Sequence, residues 1–139
     1  MRVAVVALTF MVSAACQSEP LPLVTVNDAR VIALPTSAAA YFTLANSGGD
    51  DRLIAVTAPG VGPASLHETS MADGIMRMRE LGNGIAVPAG ATVPLSPSGK
   101  HVMIQGLARP LAQGASVRLT LTFERQGAVT INAPVGRPQ

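Results

Sequence analysis

Two histidines and two methionines recur at short spacings in the middle of the chain. His101 and Met103 lie two residues apart, and ten residues separate His67 from Met78. Imidazoles and thioethers bind soft metal ions, and two uncharged thioethers favour Cu(I) over Zn²⁺ or Cu²⁺. Zinc would favour thiolate or carboxylate in the ligand set. These residue types therefore indicate Cu(I) binding as the chemistry that this sequence could perform.

Composition argues against several other kinds of chemistry. The single cysteine, Cys16, excludes an internal disulfide, CxxC redox chemistry and Cys-based zinc sites. A blue-copper centre needs a cysteine thiolate, and Cys16 lies at the start of the chain. The formal net charge is +2, and the basic residues form no cluster with aromatic neighbours, so no nucleic-acid binding is expected. No acid–base pair or nucleophile accompanies the histidines, which argues against an enzyme.

A structural role is the alternative for each of these side chains. A methionine in a strand usually fills the core, and a single histidine in a strand is usually structural or on the surface. Four such residues at paired spacings weigh against this, but spacing by itself leaves both interpretations open. Two further methionines receive no ligand role. We expect Met71 at a hairpin tip, and Met76 as a core residue or a spare thioether.

The elements that must position these residues are short β-strands between turns. The chain has 13 Gly, 11 Pro and no Trp, a composition typical of a β domain rich in loops. The predicted strands cover residues 24–26, 29–33, 40–45, 53–57, 64–69, 75–80, 92–95, 101–105, 116–124 and 128–133. This pattern predicts an all-β fold, an antiparallel sandwich or Greek-key barrel. Residues two apart share a strand face, so the four candidate ligands could converge at one end of the barrel.

The first residues have the features of an export signal. Arg2 precedes an apolar run over residues 3–12, and the small residues of positions 13–15 follow, as in a secretory signal peptide. Cys16 comes next, as in a lipobox, which predicts lipidation; ordinary cleavage that leaves a free thiol is the alternative. We therefore expect a protein of the periplasm, attached to the membrane only through this lipid. The expected organisation is a signal peptide (1–15), a tether (16–23), one domain (24–134) and a tail (135–139).

The segment from His67 to Leu107 resembles the PCu(A)C family of periplasmic copper chaperones, which assist copper loading of cytochrome c oxidase. The family pattern is His, ten residues, Met, about twenty-one or twenty-two residues, then His-x-Met. Here twenty-two residues separate Met78 from His101, and Met103 completes the pattern. The stretch Val87-Pro88-Ala89-Gly90 is similar as well, and the resemblance covers roughly residues 24 to 125.

The resemblance implies a fold, a ligand set and a function. The fold would be a cupredoxin-like β-sandwich, and the Cu(I) ligands would be His67, Met78, His101 and Met103. The function would be that of a metallochaperone that delivers copper to an acceptor such as the copper centre of cytochrome c oxidase, together with a Sco-type copper protein. The alternative is an envelope-anchored sandwich that stores copper or binds other proteins without delivering copper.

Overall fold

The computed structural model describes residues 18–137, and its regular secondary structure is entirely β. Within this range no helix is long and apolar enough to span a membrane. The expected signal peptide and Cys16 lie outside the described residues. The ten strands are β1 (Val24–Ala33), β2 (Ser37–Asn46), β3 (Asp51–Thr57), β4 (Ala64–Ala72), β5 (Ile75–Glu80), β6 (Ile85–Val87), β7 (Thr92–Pro94), β8 (Lys100–Gln105), β9 (Ser116–Phe123) and β10 (Gly127–Gly136).

The strands form the two layers of a sandwich. The first layer has the order β5-β4-β8-β2-β1, with β7 beside β2, and the second has the order β10-β9-β3-β6. Strand β10 joins the layers by pairing in parallel with β1, where Val31 lies opposite Val135. The other strand pairs are antiparallel. The predicted all-β sandwich is confirmed, with this one parallel pair as the exception to the antiparallel pattern.

Alternating side chains build the core between the layers. In β9 the apolar residues at positions 117, 119, 121 and 123 are at most 2% exposed, as their alternation predicts. Leu66 of β4 meets this core from the first layer, together with Val102 and Ile104 of β8. Burying one such side chain contributes about 1.5–3 kcal/mol. The intervening residues of β4 and β8, which include both histidines, therefore point away from the core.

Besides shifts of one to three residues at several strand ends, three differences from the sequence prediction change the description of the fold. Strand β6 was not predicted, because three residues are too few to show an alternation, although Ile85 and Val87 are buried. Strand β10 continues to Gly136, so the expected tail at 135–139 is corrected: Val135 is buried within the sheet. Strand β1 is one strand where two were expected, because a bulge at Asp28, with a φ of 54°, interrupts its pairing without ending it.

The expected tether, residues 16–23, is also corrected in its second half. The Gly49 N–H donates a hydrogen bond of 2.9 Å to the Leu21 carbonyl oxygen. A Cβ atom on Gly48 would collide with the same carbonyl, and one on Gly49 would collide with the carbonyl of Pro20. Because glycine has no Cβ, the two backbones can approach this closely. The segment from Pro20 onward therefore packs against the sandwich.

Candidate metal centre

Three adjacent strands bring three of the four predicted ligands together. His67 of β4 lies directly opposite His101 of β8, and the centroids of their rings are 6.0 Å apart. Met78 of β5 lies opposite Thr69, two residues after His67. The Met78 Sδ is 3.2 Å from the His101 Nε2. The structure thus places both imidazoles and one thioether in a single cluster.

Met103, the fourth predicted ligand, borders this cluster. It lies opposite Ser65 of β4 on one side and opposite Ala39 of β2 on the other. It shares a strand face with His101, two residues away. His67 is its diagonal neighbour across the ladder, a position roughly 7–8 Å away that long side chains can bridge. Met103 is partly buried there.

The cluster lies on the outward face of the first layer. Leu66 and Val102, the chain neighbours of His67 and His101, belong to the hydrophobic core. Alternation along the strands turns both imidazoles away from the core, and His101 is the second residue of β8. The cluster also lies near the edge of the sheet, since β5 is the outermost strand and all six of its residues are exposed.

His101 is only 4% exposed although it lies on the outward face. Its Nδ1 is 3.1 Å from the Gly99 carbonyl oxygen, which can only accept, so Nδ1 carries the proton that is donated. In the neutral ring, Nε2 then has a free lone pair. The Met78 thioether has no proton to donate, so in this neutral form of the ring two lone pairs would face each other across 3.2 Å. A cation that accepts both lone pairs would make this contact favourable.

His67 has one nitrogen with a partner and one without. Its Nε2 is 2.8 Å from the Ser65 Oγ. Its Nδ1 is buried and has no hydrogen-bond partner within residues 18–137. Leaving a buried polar atom unpaired costs about 1–3 kcal/mol, so such atoms are rare unless they have another role. The free nitrogen is available as a metal donor beside His101.

The spacing of the donors suits a single small ion. Metal bonds of about 2.0 Å to nitrogen and about 2.3 Å to sulfur, at a near-tetrahedral angle, put the two ligand atoms about 3.5 Å apart. The observed distance from Nε2 to Sδ is 3.2 Å. In the described part of the chain, no three His, Cys, Asp or Glu side chains are grouped as a metal site. The donor set here consists of imidazoles and thioethers.

Tyr41 of β2 packs beside the cluster. The centroid of its ring is 6.2 Å from that of His101, and the Arg30 guanidinium lies 5.3 Å above the same ring, in cation–π range. Burial raises the pKa of the Tyr41 hydroxyl, and the charge of Arg30 offsets part of that rise. The phenol is therefore neutral at physiological pH and gives His101 a largely apolar neighbour.

Glu68, on β4, forms ion pairs with residues of both neighbouring strands, β5 and β8. Its carboxylate is 2.8 Å from Arg79 of β5 and 3.5 Å from Lys100 of β8. The hydrogen bond from Arg79, assisted by the charge of Lys100, lowers the pKa of Glu68. Exposed ion pairs contribute little stability, so these contacts add little to the backbone pairing of β4 with β5 and β8.

Sequence reasoning missed three groups that support the histidines. Ser65 and the carbonyl of Gly99 each lie two residues before the histidine that they contact. The i, i+2 spacing that paired His101 with Met103 could have pointed to Ser65. Tyr41 reaches the cluster from a distant part of the chain, and no local pattern indicates this contact.

Sequence comparison gives the family of this chain. The family profile described as "Putative lipoprotein LpqE-like" matches residues 24–135. The chain belongs to the LpqE-like family. One relative, "Putative lipoprotein Lxx21020" of Leifsonia xyli subsp. xyli, is 34% identical over 98 residues, which cover 70% of this chain and 59% of the relative. The LpqE-like chain thus spans less than two thirds of that relative's length.

Solved structures of PCuAC domains have the same fold as this LpqE-like protein. The copper-bound PCuAC domain from PmoF2 superposes with a TM-score of 0.68 at 26% identity, covering 83% of this chain and 93% of that domain. The Cu(I) form of DR1885 from Deinococcus radiodurans gives a TM-score of 0.61 at 28% identity, with coverages of 89% and 83%. The resemblance to PCu(A)C proteins is thereby confirmed, and with it the cupredoxin-like sandwich.

Proposed function

We propose that this LpqE-like protein is a copper chaperone that binds one Cu(I) ion through His67, Met78, His101 and Met103. The observation that carries the proposal is the contact of 3.2 Å between the His101 Nε2 and the Met78 Sδ, two atoms that can both donate a lone pair to a soft metal ion. The unpaired Nδ1 of His67, whose ring centroid lies 6.0 Å from that of His101, supports it. The copper-bound forms of PmoF2 and DR1885 make copper the metal to test first.

The donor set favours the monovalent ion for two reasons. Thioethers are soft donors and prefer Cu(I) to harder ions. Imidazole and thioether ligands bring no charge, so the site keeps the full charge of the ion that it binds. The free-energy cost of removing an ion from water grows with the square of its charge. Dehydration beside the buried His101 would therefore cost roughly four times as much for a divalent ion as for a monovalent one.

Delivery would begin at Met78. This side chain is half-exposed on the edge strand, whereas His101 is buried, so a donor from an acceptor can reach the copper from the β5 side. Exchange of Met78 first, followed by the other ligands, releases the ion stepwise and needs no chemical reaction by the protein. The resemblance to PCu(A)C proteins suggests the copper centre of cytochrome c oxidase as the acceptor, together with a Sco-type copper protein.

The proposed localisation of the protein is the cell envelope. The description of the family and the name of the Leifsonia relative both contain the word lipoprotein. Lipidation of Cys16 would anchor the domain to a membrane that faces the periplasm, and the domain itself would need no other membrane contact.

Anaerobic titration with Cu(I) against a chromogenic Cu(I) chelator tests the binding step. We expect one tight equivalent for each protein molecule. The loaded protein is then mixed with the purified copper-binding domain of an oxidase, and copper is measured in both after separation. Transfer supports a chaperone, whereas tight retention indicates copper storage. No uptake of Cu(I) would refute the metal site and leave a sandwich that binds other proteins.

A further inference from the structure

Two methionines outside the proposed site lie on the hairpin formed by β4 and β5. Met71 and Met76 are cross-strand partners, 69% and 62% exposed. Side chains this exposed do not fill the core, so the expectation of Met76 as a core residue is corrected. The large exposed apolar side chains of this hairpin also include Met78 and Ile75. A purely structural hairpin would gain nothing from displaying three thioethers to water.

The register of the hairpin sets the two side chains close together. The Thr69 N–H donates to the Gly99 carbonyl oxygen, so it points toward β8 and away from β5. Thr69 and Met78 are therefore a non-hydrogen-bonded pair of the ladder between β4 and β5. Non-hydrogen-bonded pairs recur every two residues along the ladder, so Met71 and Met76 also form such a pair. In such pairs the Cα atoms are about 4.5 Å apart and the side chains are at their closest.

A two-residue turn fixes this register. Asp73 and Gly74 have φ values of 54° and 74°, as a tight hairpin of type I′ requires. Ala72 and Ile75 close the turn as partners, and the methionine pair follows immediately. The two thioethers therefore stand at the projecting end of the hairpin.

The exposed thioethers form a row that leads from the tip of the hairpin to the proposed site. Met76 and Met78 lie two residues apart on one face of β5, a separation of roughly 7 Å along the strand. Met78 in turn contacts His101. Methionine has three rotatable bonds, so neighbouring sulfur atoms in this row can bind the same ion during its passage.

We propose that Met71 and Met76 form an entry site that captures Cu(I) at the hairpin tip and passes it to Met78. This inference rests on the proposed function. The step is a ligand exchange without oxidation or reduction: bonds from copper to the two tip sulfurs break as bonds to Met78 and His101 form. Two thioethers hold the ion less tightly than two thioethers with two imidazoles do, so the transfer runs downhill toward the histidines.

The double variant Met71→Leu/Met76→Leu tests the proposal, because leucine keeps the volume and removes both sulfurs. Cu(I) is supplied as its bicinchoninate complex, and uptake is followed by stopped-flow absorption. We expect uptake to slow by about tenfold or more, while the affinity for the first equivalent stays within about twofold of the parent. Ile75→Leu is the control, because Ile75 lies at the same tip on the opposite face of the strand and is 55% exposed; it should leave the rate unchanged.

The other outcomes separate this inference from the proposed function. Uptake by the double variant at the parent rate overturns the entry site and leaves the chaperone intact. A folded double variant that has lost the first equivalent shows that the tip residues are ligands of the main site, which overturns both the entry role and the ligand assignment. If the parent itself takes up no Cu(I), the proposed function fails together with the inference.

Discussion

Replacement of Met78 by leucine separates ligation from packing at the centre of the proposed site. Met78 is 51% exposed on the edge strand, so its removal leaves no buried cavity. Leucine has nearly the same volume, and substitutions on the surface usually change the free energy of unfolding by less than about 0.5 kcal/mol. The substitution does remove the Sδ that faces the His101 Nε2.

The expected loss in copper affinity is much larger than this change in stability. Removing a group that merely supports a metal ligand costs about 10- to 100-fold in affinity. Loss of a ligand should cost at least as much, which corresponds to about 1.4–2.8 kcal/mol of binding free energy. Competition with a Cu(I) chelator measures the affinity, and urea unfolding of the apo protein measures the stability.

Met76→Leu is the matched control for equilibrium affinity. Met76 lies two residues away on the same strand face and is 62% exposed, so the two substitutions differ mainly in the contact with His101. We expect the first equivalent to bind Met76→Leu as tightly as the parent. Parent affinity in Met78→Leu, or an equal loss in both variants, would show that the assignment of the ligand on β5 is wrong.

Four other predictions follow from the sequence and the structure. Cu(I) should bind far more tightly than Cu(II) in parallel chelator competitions; comparable Cu(II) affinity would mean that thioethers are not ligands. Tyr41 is the only tyrosine of a chain without tryptophan, so its phenolate absorption can be followed directly. The midpoint of this titration should lie above the ordinary tyrosine pKa of 10.0, and it should rise further in Arg30→Gln. The free energy of unfolding should fall as the pH rises past 10.0, because Tyr41 ionises at a lower pH in the unfolded chain than in the folded one. Asn46→Ala should cost about 1–3 kcal/mol in urea unfolding, because the buried amide binds two carbonyl oxygens that would lose their donor. Cys16→Ser should move the protein from the membrane to the soluble envelope fraction, and retention on the membrane would argue against a lipid anchor.

A strand of this chain could be predicted from its sequence where one face is buried and the other faces solvent, because apolar and polar residues then alternate. Strand β9 shows this best, since its alternating apolar residues are the ones that form the core. Strand β6 lies between turn residues and has only three positions, so its buried Ile85 and Val87 look like part of a loop. Val135 joins the sheet because of its partner Val31, more than a hundred residues earlier, and no local pattern contains that information.

The sequence indicated which side chains to consider as metal ligands, but not where they lie in the fold. The spacing of His101 and Met103 indicates a shared strand face, yet it does not say whether that face points into the core or away from it. That depends on which of the alternating residues are apolar in the partner strands. The contact between His67 and His101 depends on the pairing of β4 with β8, a long-range register that spacing along the chain does not determine.

The alternation along β8 affects how such a domain tolerates change. His101 and Met103 occupy every second position, and Val102 and Ile104 of the core occupy the positions between and after them. A single-residue insertion or deletion within this strand would exchange the two sets, turning an imidazole into the apolar core and a valine onto the outward face. Point substitutions, in contrast, affect one set at a time. Substitutions of the proposed ligands can therefore accumulate on a sandwich that still folds, whereas changes in length are confined to the turns.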